Sequence, residues 1–236
     1  MEQSTREPGR RGKQGETRAR LVLVTIELVR NEGLSALTTG RITRAAGIAQ
    51  PGFYAHFRNV DDLLRQAIGH VLGEMREKIR GARRRSFERL DAVSDAAQID
   101  AIRAAYEDGL AVFLSDPTFA ELFLRYRRDP SLLGGYMRRA MDGVRSDITE
   151  DMWLRARALG AKPHHHPLVS FWAEQVLALY FTAAEALLDD RYADRDMMLD
   201  ALARNTCAMM NATIASLSVT SDTQTRPTQR VAARKS

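Results

Sequence analysis

The sequence predicts an all-α fold, and three observations carry the prediction. Apolar residues recur three and four positions apart through most of the chain, as they do along one face of a helix. No stretch alternates apolar and polar residues with the period of two that a half-buried strand requires. Prolines are sparse and fall mainly where the periodic stretches break, at Pro51, Pro117, Pro130, Pro163 and Pro167.

The elements follow in chain order. Residues 1–15 are rich in Gly, Arg and Gln, lack an apolar period, and read as a flexible basic arm. A first helix is expected over 16–32, where Leu21, Val24, Thr25 and Leu28 share a face and Gly33 can cap the end. Thr38 is a good N-cap for a second helix about two turns long, with Ile42 and Ala45 or Ala46 facing inward. Gly47 suits a turn that needs positive φ. "AQPGFYAHF" then forms a short third helix with Pro51 in its first turn, where a missing N–H costs nothing. Asn59 or Asp61 opens a long helix to about residue 85. Further helices are expected near 95–115, 117–127, 131–159, 167–189 and 195–218, and 219–236 reads as a disordered tail. The domain division that follows is an arm over 1–15, a first helical domain over 16–58, a second helical domain over 59–218, and the tail.

Composition narrows the function classes. A hydrophobic content of 44 % with 28 % charged residues is that of an ordinary globular chain with enough apolar side chains for a core. A single cysteine, Cys207, excludes an intramolecular disulfide framework and a cysteine-based zinc cluster, and suits a reducing cytoplasm. No apolar run approaches the roughly 18 residues of a membrane span, and the polar start reads as no signal peptide. The net charge of +5 is compatible with a nucleic-acid partner, but many proteins that bind none share it. A Gly-rich phosphate loop, a Ser/His/Asp constellation and a metal cluster are all missing, so no catalytic residue, metal or cofactor is expected. The histidines of "PHHHP", 163–167, point in different directions and read as a loop.

A short helix, a glycine turn and a second short helix, braced by a first helix, make a helix-turn-helix, with the third helix as the recognition element. Over residues 17–64 the pattern resembles the TetR family of bacterial repressors. Leu21, Val22, Val24, Leu28, Val29 and Gly33 match its first helix. Thr38, Ile42, Ala46, Gly47 and Ile48 match its second, and Gly52-Phe53-Tyr54, His56-Phe57 and Leu63-Leu64 complete the signature. Three positions depart from it. Thr43 stands where a small residue is common, and Gly40 where the tetracycline repressor has a base-contacting arginine. Val60 replaces a lysine that would grip a phosphate, with Arg58 the nearest substitute.

The resemblance implies a set of DNA contacts. Phe53 and Phe57, four apart, would plug the third helix into its domain. The hydroxyl of Tyr54 and the ring of His56 would reach phosphates, and Gln50 would read a base edge by pairing with adenine. Pro51 and Gly52 would let the backbone approach, or simply make the turn. Thr38, Thr39, Arg41, Arg44 and Arg58 would line the DNA backbone. Arg6, Arg10, Arg11 and Lys13 would follow the minor groove or remain solvated.

For the C-terminal part, the family implies effector binding and dimerisation. The stripes Phe171, Gln175, Val176, Leu179 and Tyr180, and Leu202, Thr206, Met210 and Ile214, suit a symmetric four-helix interface. Phe113, Phe119, Phe123 and Tyr126, with Arg125, Arg127 or Arg128 near an anionic group and Trp153 and Trp172 alongside, are expected to form the effector pocket. The function expected is a ligand-responsive regulator, a repressor that binds a palindromic operator as a homodimer and answers to a small apolar or amphipathic effector of fatty-acyl or acyl-CoA type. The alternative is an effector-independent DNA-binding architectural or assembly protein, which needs no cavity.

Overall fold

The computed structural model describes residues 8–87, 95–158 and 160–223. Among them the chain forms α1 (Pro8–Glu32), α2 (Thr39–Ala45), α3 (Gln50–Tyr54), α4 (Val60–Phe87), α5 (Asp95–Leu114), α6 (Pro117–Tyr126), α7 (Leu132–Ala158), α8 (His166–Leu188) and α9 (Arg195–Thr223). Single 3-10 turns precede α2 (Leu34–Ala36) and α8 (Pro163–His165). No strand occurs among the described residues.

Caps and turns explain several of the boundaries. The Thr38 side chain accepts the Arg41 N–H at 3.2 Å, and Asn59 Oδ1 accepts the Asp62 N–H at 2.8 Å, so α2 and α4 start where their orphan donors are met. Gly47 has φ 63°, which lets Ile48 N–H reach back to Thr43 O at 3.0 Å and close α2 before α3 begins. Gly134 is required for a different reason: a Cβ there would overlap the Asp129 carbonyl.

Two boundaries differ from expectation. The first helix starts at Pro8, eight residues early, and α9 runs to Thr223 instead of 218. Apolar periodicity marks a helix only where it packs against something. Residues 8–15 (PGRRGKQG) and 219–223 (VTSDT) carry no such stripe, so periodicity gives no sign of either extension. The remaining expectations for the arm and the tail, on 1–7 and 224–236, lie outside the described residues.

The chain forms two compact units. The first runs through Ile79 and includes Val112–Asp142; the second comprises Arg80–Ala111 and the chain from Gly143 onward. In the first unit Leu21, Ile42, Ala46, Phe53, Phe57 and Leu63 are buried together, with Val24, Leu28 and Ile48 packed around them. In the second, α8 packs along α9. There the Tyr106 hydroxyl lies 2.7 Å from Thr206 Oγ1, and Tyr180 donates to the Gly109 carbonyl at 2.7 Å. Burial pushes the Tyr106 phenol up to about 12 against the opposing pull of that hydrogen bond, so it stays neutral at physiological pH.

Candidate nucleic-acid interface

Five residues of α3 serve two faces. Phe53 is fully buried and Phe57, just beyond the helix, is 2 % exposed; their rings lie 6.0 Å apart and anchor the helix to α1, α2 and α4. Tyr54 turns the other way and is 58 % exposed, its ring edge-on to Phe53 at 5.3 Å. Gln50 and Pro51 are exposed beside it, and Gly52 and His56 are half-buried. A Cβ at Gly52 would meet only Ile48, at 3.7 Å, so the glycine leaves the α3 backbone open to approach.

The preceding helix supplies a second edge. Thr38 is exposed, and its hydroxyl oxygen caps the helix. Thr39 is half-buried, and its carbonyl accepts the Thr43 hydroxyl at 2.9 Å. This bond explains how Thr43, only 4 % exposed, fits where the family often has a smaller residue: its hydroxyl is satisfied inside the helix. Arg41 is bound to Glu32 at the end of α1. Arg44 and Arg58 are exposed and make no ion pair among the described residues.

Val60 answers a question left by the sequence. Its side chain packs against the buried cluster, so the position expected for a phosphate-gripping lysine is spent on packing. The Arg58 N–H turns toward Asp62 Oδ2 at 3.4 Å. The Arg65 guanidinium donates to Asp62 at 2.7 Å and holds that carboxyl below the usual carboxylate range. Two residues with direct roles here were missed in the sequence. Glu32 orients Arg41 across a turn, and Arg18 lies 5.1 Å over the Phe57 ring while donating to Gln66 at 3.2 Å. Neither contact has a periodic signature.

The expected effector residues divide between the units. In the first, Phe113 and Phe123 are buried edge-to-face at 5.8 Å, Phe119 is fully buried, and Tyr126 and Arg127 are half-buried. Trp153 and Trp172 belong to the second; Trp153 stands 5.1 Å from the His166 ring, and Trp172 is 6 % exposed. A cleft of about 370 Å³ in the first unit is lined by other residues, among them Arg30, Asp116 and Thr118 and, from α4, Val71, Glu74 and Lys78.

The two stripes expected at a dimer interface also separate. Phe171 is 58 % exposed and Gln175 is exposed, whereas Val176, Leu179, Tyr180 and Ile214 are half-buried. Leu202, Thr206 and Met210 are buried within their own chain. Among the 163–167 histidines, the buried His165 accepts the Lys162 N–H through Nδ1 at 3.1 Å. No three metal-ligating side chains converge among the described residues. No described helix is long and apolar enough to cross a membrane.

Residues 21–67 match the family model described as "Bacterial regulatory proteins, tetR family". No curated protein matches the chain. Solved structures do. A transcriptional regulator from Streptomyces coelicolor A3(2) is 22 % identical, with a TM-score of 0.57 over 81 % of this chain and 98 % of that one. A tetR-family regulator from Shewanella sp. PV-4 is 18 % identical, with 0.56 over 83 % and 97 %. The regulator FadR from Bacillus subtilis, solved with stearoyl-CoA, is 13 % identical, with 0.55 over 81 % and 96 %. Residues 21–67 are thus a tetR-family domain, carried on a chain that has the fold of tetR-family transcription regulators.

Proposed function

We propose that the protein is a ligand-responsive transcription regulator, a repressor that binds a palindromic operator as a homodimer through α2 and α3. One observation carries this reading. The α3 helix is fixed by two buried phenylalanines while Gln50 and Tyr54 stand exposed on its outer side, with the exposed cations Arg44 and Arg58 in the flanking segments. This is the division a major-groove helix needs: base-reading groups in the middle and phosphate-binding groups at the edges. Thr38, Thr39, Arg41, Pro51, Gly52 and His56 complete the contact set, with Arg41 shared between Glu32 and DNA.

Binding of a duplex, followed by fluorescence anisotropy at graded salt, tests the reading. Arg44→Ala and Arg58→Ala should each weaken binding and reduce the salt slope by about two phosphate contacts per dimer, one from each protomer. Slopes equal to that of the unaltered protein would reject both cations as contacts.

The dimer face proposed is the accessible side of α8, where Phe171 and Gln175 follow Leu168 at helical spacing. An effector of fatty-acyl or acyl-CoA type is supported by the abundance of buried aromatic residues and by the fold shared with a stearoyl-CoA-bound FadR. Native mass spectrometry should reveal a dimer carrying such a molecule. A dimer without any ligand would favour the effector-independent reading instead.

A further inference from the structure

The last turn of α1 carries two ion pairs two residues apart. Arg30 reaches α6: its Nε and a terminal nitrogen both donate to Asp116 Oδ2, at 2.8 and 2.7 Å. Glu32 reaches α2, where it binds Arg41. Asp116 itself has two duties. While Oδ2 holds Arg30, Oδ1 accepts the Phe119 N–H at 3.3 Å and caps α6. The Arg30 guanidinium also lies 5.9 Å over the Phe119 ring, which is fully buried, and its other terminal nitrogen binds Glu27 at 2.7 Å. The Asp116 side chain is 13 % exposed and that of Arg30 40 %, so solvent reaches the pair from the arginine side. Both charges also suit the helix ends they occupy, a cation in the last turn of α1 and an anion at the start of α6.

From this geometry we infer that Asp116 is a positioning residue for DNA binding. Through Arg30 it fixes the end of α1, and through Glu32 and Arg41 that end fixes α2. The inference rests on the reading of α2 and α3 as the DNA face. It assigns to α6 a direct mechanical hold on that face. The 370 Å³ cleft opens beside the Arg30–Asp116 pair and gives solvent or a small molecule access to it.

Arg30→Met, Asp116→Asn and the double variant test the inference. Asparagine caps a helix as well as aspartate does, so Asp116→Asn removes the ion pair and keeps the α6 cap. Two readouts apply. In hydrogen exchange, Arg30→Met should speed the amides of Phe119 and of Ile42, although it alters neither α6 nor α2. In binding, each single variant should weaken a selected palindromic duplex by about five- to tenfold, weaken an isolated half-site as well, leave the helical circular dichroism unchanged, and be no milder than the double variant. Unchanged exchange at both amides overturns the inference. So does unchanged affinity for palindrome and half-site, or a loss accompanied by reduced helical circular dichroism, which would report damaged folding alone. If the unaltered protein selects no duplex, the DNA reading itself fails, and the exchange result alone decides whether α6 and α2 are coupled.

Discussion

Removing one oxygen atom from Tyr54 is the sharpest probe of the proposed face. The residue is 58 % exposed, and among the described residues its hydroxyl makes no hydrogen bond. The ring meets Phe53 edge-on at 5.3 Å, and phenylalanine would keep that contact. Tyr54→Phe should therefore change stability by less than about 0.5 kcal/mol, as for surface substitutions generally. Against DNA the result differs. A hydrogen bond to a charged phosphate contributes about 1.5–3 kcal/mol, so its loss weakens binding roughly ten- to 150-fold per contact. A dimer presents the contact twice, which places even the low end near a hundredfold. The assay is anisotropy with labelled duplex at one fixed salt concentration, with thermal unfolding measured in parallel. Operator and random duplex should lose affinity alike, because a phosphate contact carries no sequence information. Unchanged affinity would refute the contact. Affinity lost together with a lowered Tm would refute the claim that the hydroxyl has no structural duty.

Other expectations follow from the same structure. Phe53→Ala should destabilise the first unit by about 3–5 kcal/mol, as for a fully buried aromatic, and should appear as an early unfolding transition in calorimetry. Thr206→Val should cost about 1–2 kcal/mol through loss of the bond to Tyr106 while leaving dimer affinity unchanged, whereas Phe171→Asp should abolish the dimer in analytical ultracentrifugation. For His165, burial, then the nearby His164 and Lys162, hold the imidazole pKa below its usual 6.5. The unfolded chain then takes up the proton first, so stability is full above 6.5 and declines as pH falls through the folded value. His165→Gln should flatten that decline in a Tm-against-pH series. An unchanged series would exclude His165 as its source.

Much of the fold is legible in the sequence because its signals are local. Thr38, Gly47, Pro51 and Asn59 act within a few residues of where they stand, so α2, α3 and the start of α4 follow from caps and turns alone. The opposed duties of Phe53 and Tyr54 follow from adjacent positions on one helix. Long-range features are not legible in this way. Nothing in the sequence pairs Arg30 with Asp116, which stand 86 positions apart, or reveals that Val60 has joined the packing. The stripes of α8 and α9 show the same limit: a repeating apolar face signals burial without saying against what. Leu202, Thr206 and Met210 are buried inside their own chain, while Phe171 stays exposed.

The most direct test of the account is selection of duplexes from a random library by the purified, unaltered protein, followed by sequencing. The account predicts enrichment of an inverted repeat whose half-sites are spaced for two major grooves on one side of the helix. It also predicts that Gln50→Ala relaxes the preference at one position per half-site, by about 1–3 kcal/mol. Recovery of unenriched sequence, or of no duplex at all, would contradict the claim that α2 and α3 form a sequence-reading face.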